Sequence, residues 1–132
     1  MFLIDSSAWI DYLRPSGSAK IKARVRKILE SEEAVTCGIV VVEILRGART
    51  EKDYRTLRDS FLSLPGIPIT RDVIDRASRW GFQLDRKGRQ VPTTDLIISS
   101  CAYKTARLVH ADRDFEIIAS ICELDQERLP SA

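Results

Sequence analysis

A chain of 132 residues, 44% apolar and 30% charged, is one domain's worth of ordinary globular composition, which excludes a disordered segment. It is long enough to bury about two-thirds of its unfolded surface without a disulfide or metal staple. The net charge of +2, from 21 basic and 19 acidic residues, is too small to imply a nucleic-acid partner by itself.

Met1 to Ile4 reads as a short buried strand. It has no basic region and meets Asp5 at once, so it is not a signal peptide. The longest aliphatic run, Ile39 to Val42, is far shorter than the roughly 20 apolar residues of a membrane span. A cytoplasmic protein without a membrane partner is expected. Ser6 or Ser7 N-caps a helix reaching Leu13, and Pro15-Ser16-Gly17 stops it. Ile21, Val25 and Ile28 keep helical spacing and leave Lys20, Lys22, Arg24, Arg26 and Lys27 on an outer face. Ala34 to Cys37 reads as a second strand. Ile39 to Gly47 is ambiguous: its β-branched run suggests strand, whereas Glu43 to Arg46 before Gly47 suggests a helix end. Tyr54, Leu57, Phe61 and Leu64 mark an amphipathic helix, and Ile67 to Ile69 a short strand bounded by prolines. Val73, Ala77, Trp80 and Leu84 mark another helix, followed by a basic loop from Arg86 to Gln90. Thr93 or Thr94 caps a helix running to about Ala106. Arg107 to His110 is a fourth strand, and Ile121 to Glu123 a candidate fifth.

This alternation predicts an α/β fold: one domain over residues 1–132, with a central parallel sheet of four to five strands covered by helices on both faces. Ligands of such sheets sit at the carboxyl ends of the strands. Cys37, Cys101 and Cys122 are odd in number and widely spaced, so neither a disulfide framework nor a zinc site is expected. His110 is the single histidine, which excludes mechanisms that need two imidazoles, and it reads as structural.

The acids carry the signal. Asp5 follows the first strand directly, and Asp112 and Asp114 follow the strand ending at His110. Asp95 lies in the first turn of a helix, where capping alone is the plain explanation. Glu43 interrupts an aliphatic run, where a buried carboxylate is costly without a partner. Carboxylates gathered at strand ends repel one another unless a hard divalent ion holds them. Setting these five acids aside leaves 14 acids against 21 bases, an excess of +7 that suits a polyanionic substrate.

At these residues the sequence resembles a known family. Leu3 to Ile10, Val42 to Gly47, Thr93 to Ile98 and His110 to Phe115 are similar, in order and spacing, to the motifs of PIN-domain proteins, with VapC-type toxins of prokaryotic toxin–antitoxin pairs the nearest match. The resemblance implies an endoribonuclease acting on structured RNA with Mg²⁺ or Mn²⁺. It implies Asp5, Glu43 and Asp95 as metal ligands and catalytic acids, with Asp114 or Asp112 as the fourth acid. It also implies a homodimer and a cognate VapB-type antitoxin. Ser6 and Thr94 are candidates to hold a phosphate oxygen, with helix capping the plainer role for both. Arg86, Lys87 and Arg89 are candidates to bind RNA, and Trp9 and Tyr12 to meet the partner, although ordinary core packing explains those two rings as well.

Other readings fit less of the chain. A haloacid-dehalogenase-like phosphotransferase needs a second Asp two residues after Asp5, where Ser7 stands. A Toprim-like site would use Glu43 with Asp112 and Asp114 and leave Asp5 and Asp95 unexplained. No glycine-rich phosphate loop is present. The rival from another class is a non-catalytic module that binds RNA or a partner and regulates without cutting.

Overall fold

The computed structural model describes residues 1–130, so the last two residues of the expected domain lie outside the described part. Among the described residues four strands form one sheet: β1 (Phe2–Ile4), β2 (Ala34–Val35), β3 (Arg107–His110) and β4 (Gln126–Arg128). Their order is β2-β1-β3-β4 and every pairing is parallel. The helices of the described residues surround it: α1 (Ser6–Leu13), α2 (Ala19–Glu30), α3 (Gly38–Leu45), α4 (Glu51–Leu62), α5 (Arg71–Arg86), α6 (Thr93–Ala102) and α7 (Asp114–Ala119).

The chain leaves β1 for β2 on one side and later enters β3 on the other. The strand order therefore reverses between β1 and β3, and a crevice opens there at their carboxyl ends. Leu3, Ile4, Leu108 and Val109 are completely buried, as strands covered on both faces require. Two of the striped helices landed where the spacing put them, whereas α4 ends at Leu62, leaves Leu64 beyond it and buries only Phe61 of its stripe. Val73, Ala77, Trp80 and Leu84 are the buried residues of α5, and Ile21, Val25 and Ile28 those of α2.

The ambiguous stretch is helix α3, with Val40 and Ile44 buried and Val42 exposed. Strand propensity loses because Val40 and Ile44 are four apart and share one helical face.

Several expectations needed correction. Neither Ser6 nor Ser7 caps α1. Asp5 is the N-cap, and its side chain accepts the Ser7 backbone N–H. Likewise Pro92, not Thr93 or Thr94, precedes α6, with no side-chain capping bond. That helix stops at Ala102 rather than Ala106. Ile67 to Ile69 forms no strand. Only an isolated bridge joins Thr36 to Gly66, because Pro65 and Pro68 have no N–H to continue a ladder. The last strand is Gln126–Arg128 rather than Ile121 to Glu123. Its polar side chains hid it from pattern reading, yet all three have partners: Gln126 meets His110 at 2.6 Å, Glu127 meets Arg24 at 2.8 Å and Arg128 meets Glu116 at 2.6 Å. Gly17 is required where α1 turns back, since a Cβ there would meet the Asp11 carbonyl oxygen at 1.8 Å.

Candidate metal centre

Asp5 leaves the end of β1 and is 3% exposed. Its Oδ2 accepts two hydrogen bonds from Ser7, from the backbone N–H at 3.0 Å and the hydroxyl at 2.6 Å. Its Oδ1 is buried without any hydrogen-bond partner. A buried carboxylate oxygen left unpaired is costly, and a cation is the group that would satisfy it.

One strand over, the chain leaving β3 carries the next two acids, Asp112 in the loop and Asp114 as the first residue of α7. Asp112 Oδ1 accepts the Asp114 N–H at 2.9 Å, and the Asp112 N–H donates to His110 Nδ1 at 3.1 Å. Asp95 projects from the first turn of α6 and is 7% exposed. Carboxylate oxygens of Asp95, Asp112 and Asp114 all lie within 4.8 Å of one another. The sequence alone left Asp112 and Asp114 as alternatives; the structure brings both to Asp95. Glu43, half-buried on α3, completes the rim, and its Oε1 accepts the Ser6 hydroxyl at 3.1 Å.

The electrostatics follow from that crowding. Burial pushes the Asp95 carboxyl up to about 7, helped by the charges of Asp5, Asp112, Asp114 and Glu43. Burial also raises Asp5 and Glu43 above the usual carboxylate range. The buried, unpaired Oδ1, the oxygen-only donor set and the raised carboxyls fit a hard divalent cation such as Mg²⁺ or Mn²⁺.

A PIN-domain family model matches residues 2–121. The chain belongs to the PIN-domain family. Within this family, VapC ribonuclease Mb1587 of Mycobacterium bovis is 33% identical over 129 residues, covering 94% of this chain and 96% of that protein. Ribonuclease VapC21 of Mycobacterium tuberculosis is 34% identical over 128 residues, covering 91% of this chain and 87% of that protein. Among solved structures, VapBC2 from Rickettsia felis bound to a DNA fragment from its promoter superimposes with a TM-score of 0.77. That match is 19% identical and covers 97% of this chain and 98% of the other. The sarcin–ricin-loop-cleaving toxin VapC20 of M. tuberculosis gives a TM-score of 0.65 at 17% identity, over 89% of this chain and 94% of the other.

The remaining candidates of this PIN domain divide by position. Thr94 is half-buried beside Asp95 in the first turn of α6. Ser6 spends its hydroxyl proton on Glu43. Arg86, Lys87 and Arg89 are exposed around the turn at Gly88, whose φ of +71° suits glycine. Arg86 and Lys87 line a cavity with Ser120, which follows α7. In the other basic cluster Arg24 is not free: Glu127 takes its guanidinium at 2.8 Å and 2.9 Å.

Trp9 is a core residue, 5% exposed and edge-on to Phe61 and Tyr12 with ring centroids 5.0 Å and 5.8 Å away. Ile10 and Leu13, from the same helix, are exposed instead and line a cavity of about 500 Å³ with Glu43, Ile44 and Leu57. Sequence reading passed over Ser7 as a site residue. Its signal was the tripeptide Asp5-Ser6-Ser7, in which the capping assignment absorbed the second serine.

Proposed function

We propose that this PIN domain is the endoribonuclease toxin of a VapBC-type pair, hydrolysing structured RNA with a divalent cation, Mg²⁺ or Mn²⁺. The observation that carries it is the meeting of Asp95, Asp112 and Asp114 within 4.8 Å, beside the unpaired Asp5 Oδ1. A divalent ion bound there supplies polarisation of the scissile phosphate and acidification of the attacking water. Asp5, Asp95, Asp112 and Asp114 would hold the ion. Glu43, with its carboxyl raised by burial, would orient the attacking water and accept its proton. Ser6 holds Glu43 in place for that role. Thr94, in the first turn of α6, stands where a phosphate oxygen would meet the helix N-terminus.

The decisive experiment is cleavage of total RNA with Mg²⁺ or Mn²⁺ and with excess chelator. Cleavage should require the ion and leave 5′-phosphate and 3′-hydroxyl ends, with water attacking phosphorus and the ribose 3′-oxygen as the leaving group. Cutting in chelator, or a 2′,3′-cyclic phosphate product, would sink this mechanism. Cation binding without any cleavage would favour the regulatory module instead.

RNA affinity should fall steeply with salt as phosphates are neutralised. Replacing Arg86, Lys87 and Arg89 with Ala should lower the slope of log K against log salt by about 2, at roughly 0.7–0.9 per phosphate contact. An unchanged slope would place the RNA on another face.

A cognate VapB-type antitoxin segment fits the apolar cavity of Ile10, Leu13, Ile44 and Leu57, because that groove runs up to Glu43 and would let its occupant cover the acids. Trp9 and Tyr12 lie on the same helix, α1, as Ile10 and Leu13 of this groove. A homodimer has a surface of suitable chemistry between α5 and α6, where exposed Ile74 and Phe82 flank a cavity of about 490 Å³. Among the described residues no helix is long and apolar enough to cross a membrane, and a cytoplasmic place of action goes with RNA as substrate.

A further inference from the structure

The Ser7 hydroxyl lies between two parts of the site that separate strands deliver. It donates to Asp5 Oδ2 at 2.6 Å and accepts the Ala111 N–H at 2.9 Å. Asp5 belongs to the end of β1, and Ala111 opens the loop that leads from β3 through Asp112 to Asp114. We propose that Ser7 is a positioning residue that selects the Asp5 oxygen offered to the cation and holds the Asp112–Asp114 loop in register with it. The inference rests on the metal-dependent reading above.

The geometry supports this in two ways. First, both hydrogen bonds to the Asp5 carboxylate come from Ser7 and both reach Oδ2. The terminal torsion of an Asp side chain is soft, so without them either oxygen can turn inward. With them, Oδ1 alone remains, buried and unpaired. Second, the loop's successive N–H groups are each held by a different side chain. Ser7 takes the Ala111 N–H, while His110 Nδ1 takes that of Asp112 at 3.1 Å. The His110 ring is itself fixed by Gln126 of β4, 2.6 Å from Nε2. Removing the serine hydroxyl would release the loop on its Asp5 side only. With its one proton committed to Asp5, Ser7 has no donor left for substrate, which separates its role from that of a phosphate ligand.

Outer hydrogen bonds to metal ligands typically contribute 10–100-fold to metal affinity. The test is Mn²⁺ binding to metal-free protein, followed by paramagnetic resonance of free Mn²⁺, for wild type, Ser7→Ala, Ser7→Thr and Ser7→Cys. Melting temperatures in chelator are measured alongside. Ser7→Ala should weaken Mn²⁺ binding about 10–100-fold. Ser7→Thr, which keeps the hydroxyl, should stay within about threefold of wild type, and Ser7→Cys, a weaker donor, should fall between. The half-saturating Mn²⁺ concentration for RNA cleavage should move with the binding constant. If Ser7→Ala melts too low to measure, Ser7→Cys decides, because it leaves no cavity and weakens the bond. A folded Ser7→Ala or Ser7→Cys variant that binds Mn²⁺ as wild type does would show that Ser7 only packs, and so would a folded Ser7→Thr that fails to restore affinity. Wild type that binds no Mn²⁺ would overturn the metal reading and this inference with it. Wild type that binds while Ser7→Ala is unaffected overturns this inference alone.

Discussion

Replacing Asp95 with Asn should abolish RNA cleavage while leaving the metal-free protein as stable as wild type or more so. The amide is a poorer ligand and removes one negative charge, so the rate should drop by at least roughly 10²–10³-fold, the range for losing one electrostatic contact at a reacting centre. Stability depends on two opposed effects. Asp95 in the first turn of α6 gains about 0.3–1 kcal/mol from the helix dipole, which Asn forfeits. Against this, two carboxylates 4.8 Å apart repel by about 3 kcal/mol at an effective dielectric near 20. Asp95 faces two such neighbours within that distance and is also desolvated. Repulsion wins, so at pH 8 in chelator the Asn variant should melt about 3–8 °C higher, the shift expected from roughly 1–2 kcal/mol in a domain of this size. If Asp95 were only a helix-capping acid, Asn would serve nearly as well and activity would survive. An active variant, or an inactive one that melts far lower in chelator, would falsify its role as a ligand.

Stability of the metal-free protein should fall as pH rises from about 4 to about 7, the reverse of ordinary acid denaturation. The Asp95 carboxyl titrates near 3.8 when unfolded and at about 7 in the fold, so over that window the folded state holds the extra proton. Its contribution is fully present below the unfolded value and lost as pH passes through the folded one. The raised carboxyls of Asp5 and Glu43 act in the same direction. His110 acts the other way: burial lowers its pKa, so it costs stability only as pH falls below about 6.5. Subtracting the Asp95→Asn profile isolates the Asp95 part. Bound Mn²⁺ requires the ionised acids, so the stabilisation it gives by mass action should be small at pH 5.5 and large at pH 8. Melting curves across pH, with chelator and with Mn²⁺, read both effects. A Mn²⁺ shift independent of pH would place the ion away from Asp95.

The amino-acid sequence by itself determined the elements with strong periodicity and pointed to the acids that the fold gathers. The stripes of α2 and α5 and the aliphatic strands β1 and β3 follow from where apolar residues must be buried, and that is local information. Asp5, Asp112 and Asp114 were legible because an acid directly after a buried strand stands at the sheet's carboxyl edge, where ligands of parallel sheets bind. Glu43 was legible because a charge within Ile39 to Leu45 has no local justification. What tertiary structure alone decided is who meets whom. Strand β4 is polar, and it could be known only through His110, Arg24 and the backbone of β3. The capping of α1 passed from Ser6 or Ser7 to Asp5 because Ser7 turns its hydroxyl to Asp5 and to a loop 104 residues away. That both Asp112 and Asp114 come to Asp95 was decided by the turn of the chain at Arg113, the N-cap of α7. Trp9 became core because Phe61 of α4 packs on its ring. Each of these rests on a contact between residues distant in the chain, and no residue pattern within one element records its partner in another.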